Sequence, residues 1–188
     1  MFKRRTPDAI LLTVPHTGTN FVRTLLTMAG AENNPYAKAY VPDAHWIDKG
    51  ITEVWDKIVQ TKLIITARDP YLSAIRAIKN GQENPVEWIA DAWTLCFDAM
   101  SKTKHVVFDI DCPVQARLNC AQNAIKFIGI DLELDRINDY VEKWIPQNES
   151  TSIYKTKYLE TGELPEGYDW NLLNEAVEWY NKLLTNKA

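Results

Sequence analysis

Three short stretches of the chain are apolar without alternation: AILLTV (9–14), KLIITA (62–67) and HVVFDI (105–110). A strand wetted on one face alternates apolar and polar residues, whereas a strand covered on both faces reads as a continuous apolar run. The three stretches therefore predict buried strands, and KAYV (38–41) predicts a weaker one. Helical spacing fills the intervals. In 51–60, Ile51, Val54, Trp55 and Ile58 share one face, and in 113–128 the apolar positions Val114, Leu118, Ala121, Ile125 and Ile128 recur every three or four residues before Gly129. Further helices are predicted at 20–29, 71–79, 85–102 (Pro85 suits a first turn), 135–144 and 170–184. The stretch 145–169 is polar and carries Pro146, Gly162, Pro165 and Gly167, which predicts a long loop or flap.

Strands separated by helices imply βαβ units, a mainly parallel sheet and right-handed crossovers. With 188 residues, 46% of them hydrophobic, the expectation is one α/β domain of three layers, a central mainly parallel sheet flanked by helices. A net charge of −4 provides no general basic field, so nucleic acid is not an expected partner. The three cysteines, Cys96, Cys112 and Cys120, are odd in number and lack a CxxC spacing. That pattern suits reduced thiols in a cytoplasmic chain better than a disulfide framework or a zinc site. The basic-then-apolar start MFKRRTPDAILLTV lacks a small-residue cleavage site, so no signal peptide is expected. No apolar run reaches the roughly 20 residues of a membrane span, so no membrane is expected as partner.

The candidate chemistry begins where the first strand ends, at PHTGTN (15–20). Ligands of open α/β sheets bind beyond the carboxyl ends of the strands. A helix start there offers free N–H groups and a partial positive charge to an anion. Gly18 lets the backbone approach closely, and Thr17, Thr19 and Asn20 add side-chain donors. The loop is not a Walker A loop. Thr19 stands where that pattern has lysine, and Thr13 stands where it has its first glycine. The plain structural alternative is a tight strand–helix turn capped by Thr19 or Asn20. A second stretch, TARDPYLSAIR (66–76), brings Arg68 to the same sheet edge, with Ser73 and Arg76 on one face of the following helix. A fixed guanidinium suits phosphate. The plain alternative is an Arg68–Asp69 surface pair.

Together the two stretches resemble the sulfotransferases that use 3′-phosphoadenosine-5′-phosphosulfate (PAPS). The family's 5′-phosphosulfate loop reads like P-K-S-G-T-T-W, and here the positions are Pro15-His16-Thr17-Gly18-Thr19-Asn20-Phe21. Its 3′-phosphate segment reads like A-R-N-P with a serine eight residues past the arginine. Here it is Ala67-Arg68-Asp69-Pro70, with Arg76 at the serine position and Ser73 three residues earlier. VVFDID (106–111) and Phe127-Ile128-Gly129 are softer echoes, and the whole covers roughly residues 9 to 141. The resemblance implies a P-loop NTPase-like fold, PAPS as sulfuryl donor and no metal. It assigns the 5′-phosphosulfate to the loop 15–21 and the 3′-phosphate to Arg68 with Ser73 or Arg76. His45, 23 residues before Arg68, falls where the family has a general base.

The departures are as informative. His16 replaces the family's loop lysine with a weaker, pH-dependent cation, which either stabilises the leaving phosphate oxygen in catalysis or is a loop donor with no proton-transfer role. The family's C-terminal loop, rich in Arg, Lys and Gly, has its nearest counterpart in YKTKYLETGELPEG (154–167), through Lys155 and Lys157. The chain is short for the family, which implies an acceptor lid that is reduced or supplied by a second subunit of a homodimer. The acceptor would be a hydroxyl or amine of a small molecule or saccharide. Tyr36, Tyr40, Trp46, Tyr154, Tyr158 and Tyr168 are candidate lining residues. Asp109 and Asp111 fit strand-end or helix-cap roles better than a Walker B magnesium site, and the tryptophans fit core packing. Two other functions share the pattern. One is a P-loop-type nucleotide or small-molecule kinase; the other is a non-catalytic nucleotide-binding or interaction module.

Overall fold

The computed structural model describes residues 6–45, 55–56, 58–131, 135–144 and 153–185. The predicted strands form as β1 (Ile10–Thr13), β5 (Leu63–Ala67) and β6 (His105–Asp109). A fourth, β4 (Asp43–His45), completes a parallel sheet in the order β4-β1-β5-β6. KAYV forms only the two-residue β3 (Ala39–Tyr40), paired in parallel with β2 (Ala31–Glu32) outside the main sheet. The polar triplet Asp-Ala-His does not read as a strand on its own. Its register comes from β1, and Arg23 pins it from the neighbouring helix by a bidentate pair to Asp43 and a 2.8 Å bond to the Val41 carbonyl.

The pleat sends alternate strand residues into two cores. Leu11, Ile64 and Phe108 face one, while Ile10, Leu12, Leu63 and Ile65 face the other. The first core is closed by α1 (Thr19–Met28), α4 (Val114–Phe127) and α5 (Asp135–Lys143) through Phe21, Leu25, Ile125 and Ile137. The second is closed by α2 (Pro70–Lys79), α3 (Pro85–Lys102) and α7 (Asn174–Thr185) through Ala74, Ile89, Trp93 and Tyr180. The chain is thus α/β, with a central parallel sheet between helices. Both faces are covered, which is why the strands are apolar throughout. No helix among the described residues is long and apolar enough to cross a membrane.

Of the stretch 145–169, expected to be a loop, residues 145–152 lie outside the described residues, 162–169 are irregular as expected, and the middle departs from the expectation. Ile153–Thr161 forms α6, stopped by Gly162 at φ 72, whose N–H bonds the Tyr158 carbonyl at 2.8 Å. Between Pro146 and Gly162 there is no helix breaker, and Tyr158 gains a partner in α2 that sequence spacing does not reveal. The 170–184 helix opens with a 3₁₀ turn at Trp170–Leu173, capped by Asp169. Of the 51–60 helix, Trp55 and Ile58 are described and helical, while Ile51 and Val54 lie outside the described residues.

Candidate functional site at the carboxyl edge of the sheet

Parallel strands bring their carboxyl ends to one edge. Thr13 lies opposite His45 on one side and Thr66 on the other, and Ala67 lies opposite Asp109. The loop after β1 therefore shares this edge with His45, Arg68 and the 109–113 turn. His45, expected to follow a strand at 38–41, is itself the last residue of β4, and its side chain lies outside the described residues.

The loop has a defined shape. His16 and Gly18 both adopt left-handed backbone, at φ 63 and φ 80. Between them Thr17 turns inward and is fully buried. Its hydroxyl donates to the Val14 carbonyl at 2.6 Å and lies against the Thr66 hydroxyl on β5. Thr17 was expected to offer its hydroxyl to a ligand; it instead fastens the loop to the next strand. Thr17→Val should destabilise the fold by about 1–3 kcal/mol, because Thr66 and the Val14 carbonyl lose a buried partner. A thermal melt checks this.

Helix α1 starts at Thr19 with no side-chain cap, so neither Thr19 nor Asn20 plays the capping role that the plain alternative gave them. The first-turn amides lack intrahelical partners and carry the positive end of the helix dipole. Thr19 is half-buried and Asn20 exposed, so both can meet a ligand at this end. Pro15 is buried beneath it. Phe21 departs from its expected binding role. It is a core residue, edge-on to Phe108 at 5.7 Å and packed on Trp144 at 4.2 Å.

Arg68 emerges from β5 and is gripped by a residue the sequence did not suggest. Its Nε and Nη2 reach the two carboxylate oxygens of Asp111 at 3.2 and 3.1 Å, and the Asp69 N–H adds a 3.2 Å bond. Asp69 is not the surface partner of Arg68. It caps α2 by accepting from the Tyr71 and Leu72 amides at 2.8 and 3.3 Å, and accepts from the Tyr158 hydroxyl at 3.0 Å. Burial pushes the Asp69 carboxyl above its ordinary range, against the pull of these bonds. Asp109 has the strand-end role expected of it: its Oδ1 accepts from the Asp111 N–H and, in the core, from the Tyr180 hydroxyl.

Ser73 and Arg76 separate in role. The Ser73 hydroxyl is completely buried and has no hydrogen-bond partner among the described residues. Arg76 is half-buried, and its charge reaches His16. Of the two, only Arg76 reaches solvent. Since an unsatisfied buried hydroxyl costs about 1–3 kcal/mol, Ser73→Ala should leave the melting temperature unchanged or raise it by a few degrees. A fall of several degrees would mean that Ser73 is bonded in solution.

His16 rests edge-on against Trp88 of α3, ring centroids 5.8 Å apart. Burial, then the charges of Arg76 and Arg68, push its pKa down to about 4. The expected pH-dependent cation is therefore neutral at pH 7. The pH effect has a definite sign. Between pH 6.5 and about 4 the unfolded chain binds the His16 proton and the native chain does not, so stability falls as pH drops through that window. After allowance for solvent screening the loss is about 1–2 kcal/mol. His16→Asn keeps the left-handed backbone accessible and should flatten this slope in urea melts at pH 7 and pH 4.5.

Lys157 is exposed, and its ammonium group is paired with Glu163. Lys155 lies in α6, with its side chain outside the described residues. Of the aromatic residues considered for an acceptor wall, Tyr36 is 91% exposed and Tyr158 is committed to Asp69. Trp88 against His16 is a contact that the sequence reading missed, and Asp111 and Tyr158 hold partners, Arg68 and Asp69, other than the roles it gave them. Only Asp111 carried a usable signal, as an acid just past a strand that ends at the same edge as Arg68. No family model matches the chain, and the comparison with curated proteins found no match.

Proposed function

We propose that this edge binds PAPS and that the chain is a sulfotransferase. The observation that carries the reading is a shared sheet edge: the loop after β1 with its uncapped helix start and Arg68 after β5 lie at the carboxyl ends of neighbouring parallel strands, with Arg76 on the helix that follows. Amides at a helix N-terminus and fixed guanidinium forks are the donor types that phosphate and sulfate oxygens need. The first-turn amides of α1, with Thr19 and Asn20, would hold the 5′-phosphosulfate, and Arg68 and Arg76 the 3′-phosphate. PAPS supplies an activated sulfuryl group, which passes to an acceptor hydroxyl or amine as the sulfur–oxygen bond to phosphate breaks. In this reading His45 takes the acceptor proton, and His16 donates a hydrogen bond to the departing phosphate oxygen. The products are the sulfated acceptor and 3′,5′-bisphosphoadenosine.

Thermal stability tests the donor site. A ligand at a hundred times its Kd stabilises the folded state by about 2.7 kcal/mol, or about 5–10 °C for a chain of this size. The expected result is such a rise with 3′,5′-bisphosphoadenosine and a smaller one with ATP–Mg²⁺. A rise with ATP–Mg²⁺ alone would favour a kinase, and no rise with either would favour an interaction module. A nucleotide-binding module without catalysis is the second reading. The neutral His16 favours it, because a charge is missing where the family keeps a lysine. Binding without sulfuryl transfer to any of a panel of hydroxyl and amine acceptors is its signature.

A further inference from the structure

We propose that the start of α4 is a second oxyanion site, made by the first-turn amides of that helix and the buried guanidinium of Arg117. Arg117 is the fourth residue of α4 and is 8% exposed. Its side chain folds back to the helix start, where Nη2 donates to the carbonyl of Cys112, two residues before Val114, at 3.1 Å. The guanidinium also lies over Trp144, with Cζ 5.0 Å from the ring centroid, and Trp144 packs on Phe21 of the first core. The Arg117 Nε is buried and has no hydrogen-bond partner among the described residues, and no carboxylate among them pairs with the group. The acids of the preceding turn are engaged elsewhere. Asp111 is forked by Arg68. Asp109 accepts from the Asp111 N–H and from Tyr180 of the second core, across the sheet from the core that Trp144 packs against.

Two features call for an anion at this point. The first is the helix start itself. Pro113 is the N-cap residue and has no side-chain oxygen, so no side chain caps α4, and the first turn carries no acid. The amides of Val114, Gln115 and Ala116 lack intrahelical partners and carry the positive end of the helix dipole. Val114 is 43% exposed and Gln115 is exposed beside it, so the turn is open to a ligand. The second is the charge of Arg117. The Cys112 carbonyl and the Trp144 ring are both neutral, so neither supplies a counter-charge. A guanidinium taken out of water without one is costly, and a ligand anion offsets that cost. Helix amides beside a guanidinium fork are the donors that the oxygens of a phosphate or sulfate group need, whether the group is a free ion or an ester.

Backbone amide and arginine side-chain resonances of the isotope-labelled full chain test the site. Inorganic phosphate and phenyl phosphate are each titrated at constant ionic strength. The expected result is a saturable shift of the Val114, Gln115 and Ala116 amides together with the Arg117 Nε–H. The tighter of the two probes tells whether the group arrives as a free ion or on a ring-bearing molecule. Arg117→Met keeps an unbranched apolar stem against Trp144 and removes the charge. It should weaken the α4 response at least tenfold, while any response of the Thr19, Asn20 and Phe21 amides stays as it was. An α4 start and an Arg117 Nε–H that neither probe moves would overturn the proposal and leave Arg117 as a packing partner of Trp144. Shifts that keep their wild-type midpoint in Arg117→Met would overturn it as well. The donor-site reading stands or falls separately, on the α1 amides and 3′,5′-bisphosphoadenosine. The wild-type Nε–H decides the matter even if Arg117→Met does not fold.

Discussion

Gly18→Ala should lower the stability of the fold by about 2–5 kcal/mol and the melting temperature by about 5–15 °C. Two causes add. At φ 80 the backbone is left-handed, where an L side chain is strained by about 1–2 kcal/mol. A Cβ built there would also stand 2.9 Å from both Cδ1 and Cγ2 of Ile110, inside the first core. Ile110 is 3% exposed and its N–H is bonded to the Ala67 carbonyl at 3.1 Å, so it cannot retreat without moving the turn after β6. Gly129→Ala is the matched control. Gly129 has a similar φ of 77 but nothing within 4 Å of its Cβ position, so it measures strain alone. Adding Ile110→Val, which removes Cδ1, should recover part of the Gly18→Ala loss. If Gly18→Ala proves no more harmful than Gly129→Ala, the close contact with Ile110 is not what requires the glycine. The same substitution should weaken anion binding, because the amides that follow position 18 start α1.

The contrast between Gly18 and Thr17 shows what the sequence could and could not disclose. A glycine between a buried strand and a helix has few structural uses, so its role was readable from its neighbours alone. A threonine in the same loop faces a ligand or the core with equal ease. The choice was made by Thr66, a residue 49 positions away that only the parallel pairing of β1 and β5 brings into reach. Phe21 is a similar case. Its place in a family-like motif suggested ligand contact, while the helical period of α1 with Val22, Leu25 and Leu26 already put it on the buried face. The strands and most helices were readable because burial on both faces imposes a pattern stronger than local propensity. β4 and α6 were not. Each is held in place by partners distant in sequence, Arg23 for β4 and Asp69 for α6. Arg68 was readable from its position after a strand, while the partner that the plain alternative gave it, Asp69, caps α2 and leaves the fork to Asp111.

Arg68→Ala should weaken binding of 3′,5′-bisphosphoadenosine by about 30-fold to several thousand-fold, while lowering fold stability by only about 1 kcal/mol. The asymmetry follows from the setting. Arg68 and Asp111 are 11% and 24% exposed, so their pair is partly solvated and modest in worth, and Asp111 keeps its bond from the Asp69 N–H when the arginine is gone. A ligand phosphate has no such substitute. Arg68→Lys should rescue little, because the planar fork that now spans both oxygens of Asp111 is lost with the guanidinium. Asp111→Asn should act the other way. It removes a carboxylate that occupies the Arg68 fork, so nucleotide affinity should rise, and Arg68→Ala in that background should abolish the gain. Calorimetric titration of the four proteins measures the coupling directly. Wild-type affinity in Arg68→Ala would sink the assignment of the 3′-phosphate to this edge. Unchanged affinity in Asp111→Asn would show that the carboxylate orients Arg68 without competing for it. The fork is thus the sharpest point of the site. In the proposed site the same guanidinium would hold an acid of its own chain and yield to an anion from outside, and the balance between the two would set how strongly the loop binds.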